Sequence, residues 1–351
     1  MVRGDFVFAI PGDVDTPTGG YAYDRRMIAE LRELGWRPEV LGLGDGFPRP
    51  SALTKAAAKA HLADVPKGRP IVIDGLAFGV LPEAAESLRE THPLIALVHH
   101  PLALETGVAT DDALTLRTSE RAALACTRGV IVTSPATART LASEFGVPAE
   151  RITVAEPGTD RVALVRRKQT GTVALLAVGA VVPRKGYDIL IEALAGLIDL
   201  PWRLTIVGDC GRHPPTVTQL RADIERLRLS LRVAVEDAVS DERLAALYAA
   251  SEVFVLASHY EGFGMAYAEA IAHGLPVIGT TGGAIPDTVP ASAGVLVPPG
   301  DAPALAATLR HLIEDTAARD ALAAGARAAA DKLPTWRGSA EKFSQAIERV
   351  I

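Results

Sequence analysis

Short runs of β-branched and large apolar residues recur along this chain, and nearly every one is followed by a stretch with helical spacing. That alternation constrains the fold most strongly, because strands separated by helices pair in parallel. The first half reads as strands at "FVFAI" (6–10), "PEVLGL" (38–43), "IVIDG" (71–75), "LIALVHH" (94–100), "GVIVTS" (129–134) and "ITVAEPG" (152–158). In "YDRRMIAELRELG", Met27, Ile28, Leu31 and Leu34 share one helical face, and Gly35 ends the helix.

The pattern then restarts. Strands are expected at "VALLAVGAV" (173–181), "RLTIVGD" (203–209), "LRVAVED" (231–237), "VFVLAS" (253–258), "PVIGTT" (276–281) and "AGVLVPPGD" (293–301). Asp301 suits the N-cap of the helix that follows. A polar, basic break lies near "DRVALVRRKQTGT" (160–172). The fold class expected is therefore α/β, with two Rossmann-like parallel-sheet domains. They span residues 1–165 and 166–330, and a terminal helix over 331–351 packs back toward the first domain. Ligands of parallel sheets bind beyond the carboxyl ends of the strands, so the cleft between two such domains is where chemistry is expected.

Composition narrows the function classes. Lys plus Arg number 36 against 42 Asp plus Glu, a net charge of −6. An acidic chain is a poor nucleic-acid binder, since phosphate backbones are met by basic surfaces. Cys126 and Cys210 have no metal-ligand spacing and read as small buried apolar residues in a reducing compartment. The first apolar run is too short for a signal-peptide core, and no apolar run approaches the roughly 20 residues that span a bilayer. A cytoplasmic location is expected. No basic amphipathic helix stands out in the first half, although peripheral membrane contact is left open.

Several turns at strand ends carry candidate chemistry. "TPTGGYAYDRR" places Gly19 and Gly20 between the first strand and its helix, where backbone could approach a phosphate. An ordinary strand-to-helix turn is the plainer reading, and no dinucleotide G-x-G-x-x-G opens the helix. "DVD" (13–15) reads as turn chemistry rather than a metal site. His99 and His100 end a strand and could bond a sugar hydroxyl or move a proton, but nothing nearby in sequence completes a zinc set. Arg184 and Lys185 are two cations at a turn, suited to a diphosphate or else simply solvated.

The stretch "EGFGMAYAE" (261–269) is the most informative. Gly262 and Gly264 flank Phe263 at the mouth of a helix starting near Met265, which offers N–H groups and the positive end of a helix dipole to an anion. Glu269 lies one turn inside a helix otherwise apolar or small. A carboxylate there needs a partner. Paired ligand hydroxyls would serve, and so would an internal salt bridge.

Glu261 and Glu269, with "EGFGMAYAEAIAHGLPVI" around them, resemble the E-x7-E motif of the retaining GT-B glycosyltransferases of family 4. "VGAVVPRKGYDILIEALA", "VSDERLAALYAASEVFVLAS", "TTGGAIPDTV" and "GVLVPPGD" resemble other segments of that family's donor domain, and "VAEPGTD" (154–160) resembles the end of its first domain. The first 150 residues match in architecture and in the Gly-Gly turn, but loosely in sequence.

The resemblance implies a C-terminal domain holding a nucleotide sugar and an N-terminal domain holding a small-molecule or glycan acceptor. It implies that Glu269 binds the ribose, Glu261 the donor sugar, and the backbone at Phe263, Gly264 and Met265 the sugar and diphosphate. Lys185 would neutralise the diphosphate, with Arg184 beside it, and Gly19 or Gly20 would meet the same phosphates. One of His99 and His100 would lie near the donor sugar. No metal or other cofactor is implied. UDP is favoured slightly over GDP, and a soluble acceptor over a lipid. Two positions depart from the family: Ala180 stands where an Arg is usual, and Ala238 where a Gly is frequent. Two alternatives are kept. One is another GT-B enzyme, an epimerase or phosphorylase. The other is a nucleotide-sugar binder without turnover.

Overall fold

The computed structural model describes residues 3–16, 18–162 and 171–351. The chain forms two compact units, Met1–Gly158 joined by Pro334–Ile351, and Thr159–Leu333. The expected break at residues 160–172 falls largely on 163–170, outside the described residues.

The first unit holds strands β1 (Gly4–Ile10), β2 (Trp36–Gly42), β3 (Ile71–Asp74), β4 (Leu94–Val98), β5 (Gly129–Val132) and β6 (Ile152–Val154). Its helices are α1 (Gly19–Glu33), α2 (Ala52–Ala63), α3 (Gly75–Phe78), α4 (Pro82–Leu88), α5 (Thr110–Ala125) and α6 (Pro135–Glu144). The second unit holds β7 (Val173–Val178), β8 (Trp202–Val207), β9 (Val233–Glu236), β10 (Val253–Val255), β11 (Val277–Thr280) and β12 (Gly294–Val297). Its helices are α7 (Tyr187–Ala195), α8 (Pro214–Arg226), α9 (Asp241–Ala250), α10 (Met265–Ala272), α11 (Ile285–Thr288), α12 (Ala302–Glu314) and α13 (Thr316–Ala330). The last helix, α14 (Trp336–Glu348), belongs to the first unit.

Each expected strand is present; β1, β2 and β8 begin one or two residues earlier than expected, and most others end sooner, where Gly, Pro or polar residues follow. The two sheets are parallel throughout, in the orders β2-β1-β3-β4-β5-β6 and β12-β11-β10-β7-β8-β9. Strands covered on both faces are apolar throughout, as β4, "LIALV", shows with all five residues buried. Strand order reverses between β1 and β3 in the first sheet and between β7 and β10 in the second. At such points neighbouring crossovers leave toward opposite faces and open a crevice at the carboxyl ends. Both functional clusters described below sit there.

Helix α1 turns Tyr23, Asp24, Met27, Ile28 and Leu31 inward. Asp301 caps α12 by accepting the Ala304 N–H, as its position suggested. Cys126 and Cys210 are half-buried rather than buried. The Cys126 thiol donates to Glu86 and that of Cys210 to the Gly208 carbonyl, polar surroundings that an apolar reading of cysteine misses.

Helix α14 is bound to the first unit by specific contacts. Phe343 is fully buried and stacks on Phe8 at 6.1 Å between centroids. Trp36 Nε1 donates to Ser344 Oγ at 2.8 Å. Gly158 lies so close to the Trp336 backbone that any side chain would collide with it. Phe343→Ala should therefore lower the unfolding free energy by about 3–5 kcal/mol, through lost burial and the cavity left behind. The neighbouring Lys342→Ala, exposed and 3.6 Å from Glu156, should cost less than about 1 kcal/mol. Urea denaturation of the two variants checks the contrast.

Candidate active site

In the second unit, the segments after β7 and β10 converge. Gly186 follows the short turn Pro183–Lys185 with φ +62°, and a Cβ there would run into the Ala257 carbonyl. Glycine alone lets this turn close over the end of β10. The turn is locked by the His259 N–H, which donates to the Arg184 carbonyl at 2.8 Å. Beyond β10 the chain bends at His259 and reaches Glu261, which bridges in parallel to Gly283 after β11.

Glu261 is only 6% exposed and is held on all sides. Its Oε1 accepts from Lys185 Nζ at 2.6 Å and from Ser258 Oγ at 2.6 Å. Its Oε2 accepts from Arg184 at 3.0 Å, and the same guanidinium donates to the Tyr260 carbonyl at 2.7 Å. Burial alone would favour the neutral acid, but the charges of Lys185 and Arg184 outweigh it and bring the pKa down to about 2. Two cations thus face one fixed carboxylate at the strand-order reversal.

Helix α10 starts at Met265, as expected. Gly264 is its N-cap, with φ +95° and no side-chain cap. The N–H groups of Gly264, Met265 and Ala266 meet no acceptor among the described residues. Phe263 is buried and its carbonyl accepts from Thr288 Oγ1. Glu269 is half-buried, and its partner within the chain is a hydroxyl rather than an arginine: Tyr248 donates to Oε2 at 2.9 Å. Burial pushes the Glu269 pKa up, and the Tyr248 bond opposes that shift.

In the first unit, His99 directly follows β4, and its Nε2 lies 3.5 Å from Asp24 Oδ1 and 3.4 Å from Asp74 Oδ2. Asp24 comes from α1 and is completely buried, while Asp74 ends β3 and also accepts the Leu76 N–H at 2.7 Å. Tyr23 packs edge-on against the His99 ring at 5.4 Å. Burial disfavours a charged imidazole, but Asp24 and then Asp74 outweigh it and push the His99 pKa up to about 10. Burial pushes Asp24 up to about 7, against the pull of His99.

The structure separates the two histidines that the sequence left equivalent. His99 turns inward to the two carboxylates and stands over Gly20, whereas His100 pairs with Glu105 in its own loop at 2.8 Å. It also corrects the Gly-Gly reading. Gly19 and Gly20 are the first residues of α1 rather than a loop before it, because Thr18 is the N-cap and accepts the Tyr21 N–H. Gly20 has no positive φ, and a Cβ there would make ordinary contact with the His99 ring at 3.5 Å. The "DVD" segment is a turn in which Asp13 accepts the Asp15 N–H. Sequence reasoning missed Asp24 and Asp74.

Comparison with known proteins fits this geometry. The family described as "Glycosyl transferases group 1" matches residues 165–329, and that described as "Glycosyltransferase Family 4" matches residues 22–162. The MMP alpha-(1->4)-mannosyltransferase of Mycolicibacterium hassiacum is 28% identical over 322 residues, 87% of this chain and 76% of that protein. The sucrose-phosphate synthase of Thermosynechococcus elongatus superposes with a TM-score of 0.80 at 23% identity, covering 98% of both chains. The Anabaena protein HepE, solved with UDP-glucose, gives 0.76 at 20% identity over 98% of this chain and 99% of its own. The chain belongs to the group 1, family 4 glycosyltransferases and has their GT-B fold.

The ion cluster predicts a pH response. Glu261 has a folded pKa of about 2 against a usual 4.5, so as pH falls the unfolded chain takes up the proton first. Its stabilisation is complete above pH 4.5 and is lost on acidification toward pH 2, by roughly 3 kcal/mol. Glu261→Gln should be less stable at neutral pH, with two cations left facing an amide, and should lack this acid-linked loss. Urea titrations of both proteins at pH 5 and pH 3 check it, with about 2 kcal/mol of that loss expected between the two.

Proposed function

We propose that this chain is a retaining glycosyltransferase that moves a sugar from a nucleoside diphosphate sugar to a hydroxyl of a soluble acceptor. The observation that carries the reading is Glu261, held ionised between Lys185 and Arg184 beside the uncapped start of α10. A leaving diphosphate gains negative charge as the glycosidic bond breaks. Lys185, Arg184 and the N–H groups of Gly264, Met265 and Ala266 are fixed before that charge appears, which is where such groups act most strongly. In this reading the cations supply the stabilisation that a metal supplies elsewhere.

Glu261 fixes the two cations and contacts the donor sugar, with Gly262 and Phe263 as adjoining backbone. Glu269 takes the ribose hydroxyls, with Tyr248 holding its other side. UDP is the favoured nucleotide, supported by the UDP-glucose bound to HepE. The mannosyltransferase name of the M. hassiacum relative keeps other donors in the trial. In this reading no described side chain acts as a covalent nucleophile, and retention follows from displacement on one face of the sugar.

Incubation with a panel of UDP- and GDP-sugars should release nucleoside diphosphate with at least one donor, and no release or binding with any of them would sink the reading. Glu269→Gln keeps an acceptor for Tyr248 but removes the charge. It should raise the donor KM about tenfold or more with little change in Tm, as expected for one lost charged hydrogen bond. Lys185→Ala should cut kcat by about 100-fold or more. It should also lower Tm, because Glu261 loses a buried partner. Saturable donor binding without release on any acceptor would instead support a binder, the reading that Ala180 suggests.

A further inference from the structure

The Asp24–Asp74–His99 cluster has features that the transfer reaction does not use. Both carboxylate oxygens of Asp24 are buried without a hydrogen-bond partner, and so is His99 Nε2. A carboxylate that is fully buried and unbonded is among the most costly arrangements in a protein interior. The separations are informative too. At 3.4 and 3.5 Å, the Nε2-to-oxygen distances exceed the roughly 2.7–2.9 Å of charge-assisted hydrogen bonds. They match the edge of about 3.4 Å between ligand atoms that each lie about 2.1 Å from a tetrahedral zinc ion.

We propose that Asp24, Asp74 and His99 form a zinc-class metal site, with one oxygen from each aspartate and Nε2 of the histidine as ligands. The three atoms lie within 4.8 Å of one another and come from three different elements: α1, the end of β3 and the residue after β4. One imidazole and two carboxylates suit zinc, and three protein ligands leave a fourth position for water. Gly20 keeps that side of the cluster clear, since a Cβ there would stand 3.5 Å from Nε2. Outer contacts hold two of the ligands: Tyr23 packs edge-on against the imidazole, and the Leu76 N–H binds the other oxygen of Asp74. The ion would tie the first turns of α1 to the carboxyl ends of β3 and β4. This departs from the sequence expectation of no metal, and it assigns the ion no part in the transfer step.

The test is direct metal binding by the full chain. After EDTA treatment and its removal, titration with zinc alone should give one tight equivalent, with a rise in Tm and a shift of one histidine side-chain nitrogen by NMR. Asp24→Asn, near-isosteric, should weaken that equivalent at least 100-fold while far-UV dichroism stays native. His99→Gln should do the same, so that a folding failure in one variant leaves the other to decide. Manganese and magnesium, offered in place of zinc, should bind at least tenfold more weakly. The proposal is overturned if no equivalent of zinc binds, or if both variants bind it as the parent does. An imidazolium signal at His99 that zinc leaves unmoved would also overturn it, and would make the cluster a proton-sharing network. None of these readouts depends on transferase activity.

Discussion

The second unit's chemistry depends on one electrostatic arrangement: a carboxylate, Glu261, buried against two cations that arrive on a different turn. Neither part is stable alone. Without Lys185 and Arg184, Glu261 would be neutral or would face water. Without Glu261, the two cations would repel each other and splay into solvent. Held together, they form a fixed ion cluster with two positive charges against one negative. The bonds from Ser258 to Glu261, and from Arg184 to the Tyr260 carbonyl, make it rigid. Gly186 contributes by letting its turn close over Ala257. An ammonium and one guanidinium nitrogen on one fixed acid hold both cations in place.

Both clusters lie where strand order reverses, and that position is a consequence of parallel pairing. A parallel strand must be followed by a crossover, so its carboxyl end always opens into a turn. Where adjacent crossovers diverge to opposite faces, the turns separate and leave polar groups room to converge. In the second unit the converging segments follow β7 and β10, and in the first they follow β1, β3 and β4. The departure at Ala180 falls in the same turn as Arg184. Here Arg184 donates to Glu261 and to the Tyr260 carbonyl, which fixes its guanidinium against the acid.

Most of the fold was legible because parallel strands covered on both faces must be apolar along their whole length. Runs such as "LIALV" and "VALLAV" announce themselves, and the helices between them carry a plain 3.6-residue stripe. Glu269 was legible as an acid in an apolar helix, and Glu261 through the motif it shares with Glu269. What the sequence hid was pairing. Nothing local shows that Lys185 reaches an acid 76 residues away, or that Glu269 meets a tyrosine on another helix. His99 and His100 were indistinguishable because a strand end does not say which of two neighbours turns inward.

Asp24 was hidden differently, and a stricter reading would have found it. In "YDRRMIAELREL" it sits beside two arginines and looks like one charge of a solvated face. Yet it is three, four and seven residues before Met27, Ile28 and Leu31, which form the buried stripe. An acid in register with the core side of a helix needs a partner in three dimensions, by the argument that drew attention to Glu269. Here the partners are His99 and Asp74 at neighbouring strand ends, and the nearest donor to Asp24 among the described residues is His99 Nε2 at 3.5 Å. Helical register, rather than the company of neighbouring charges, is what separates a buried functional acid from a surface one.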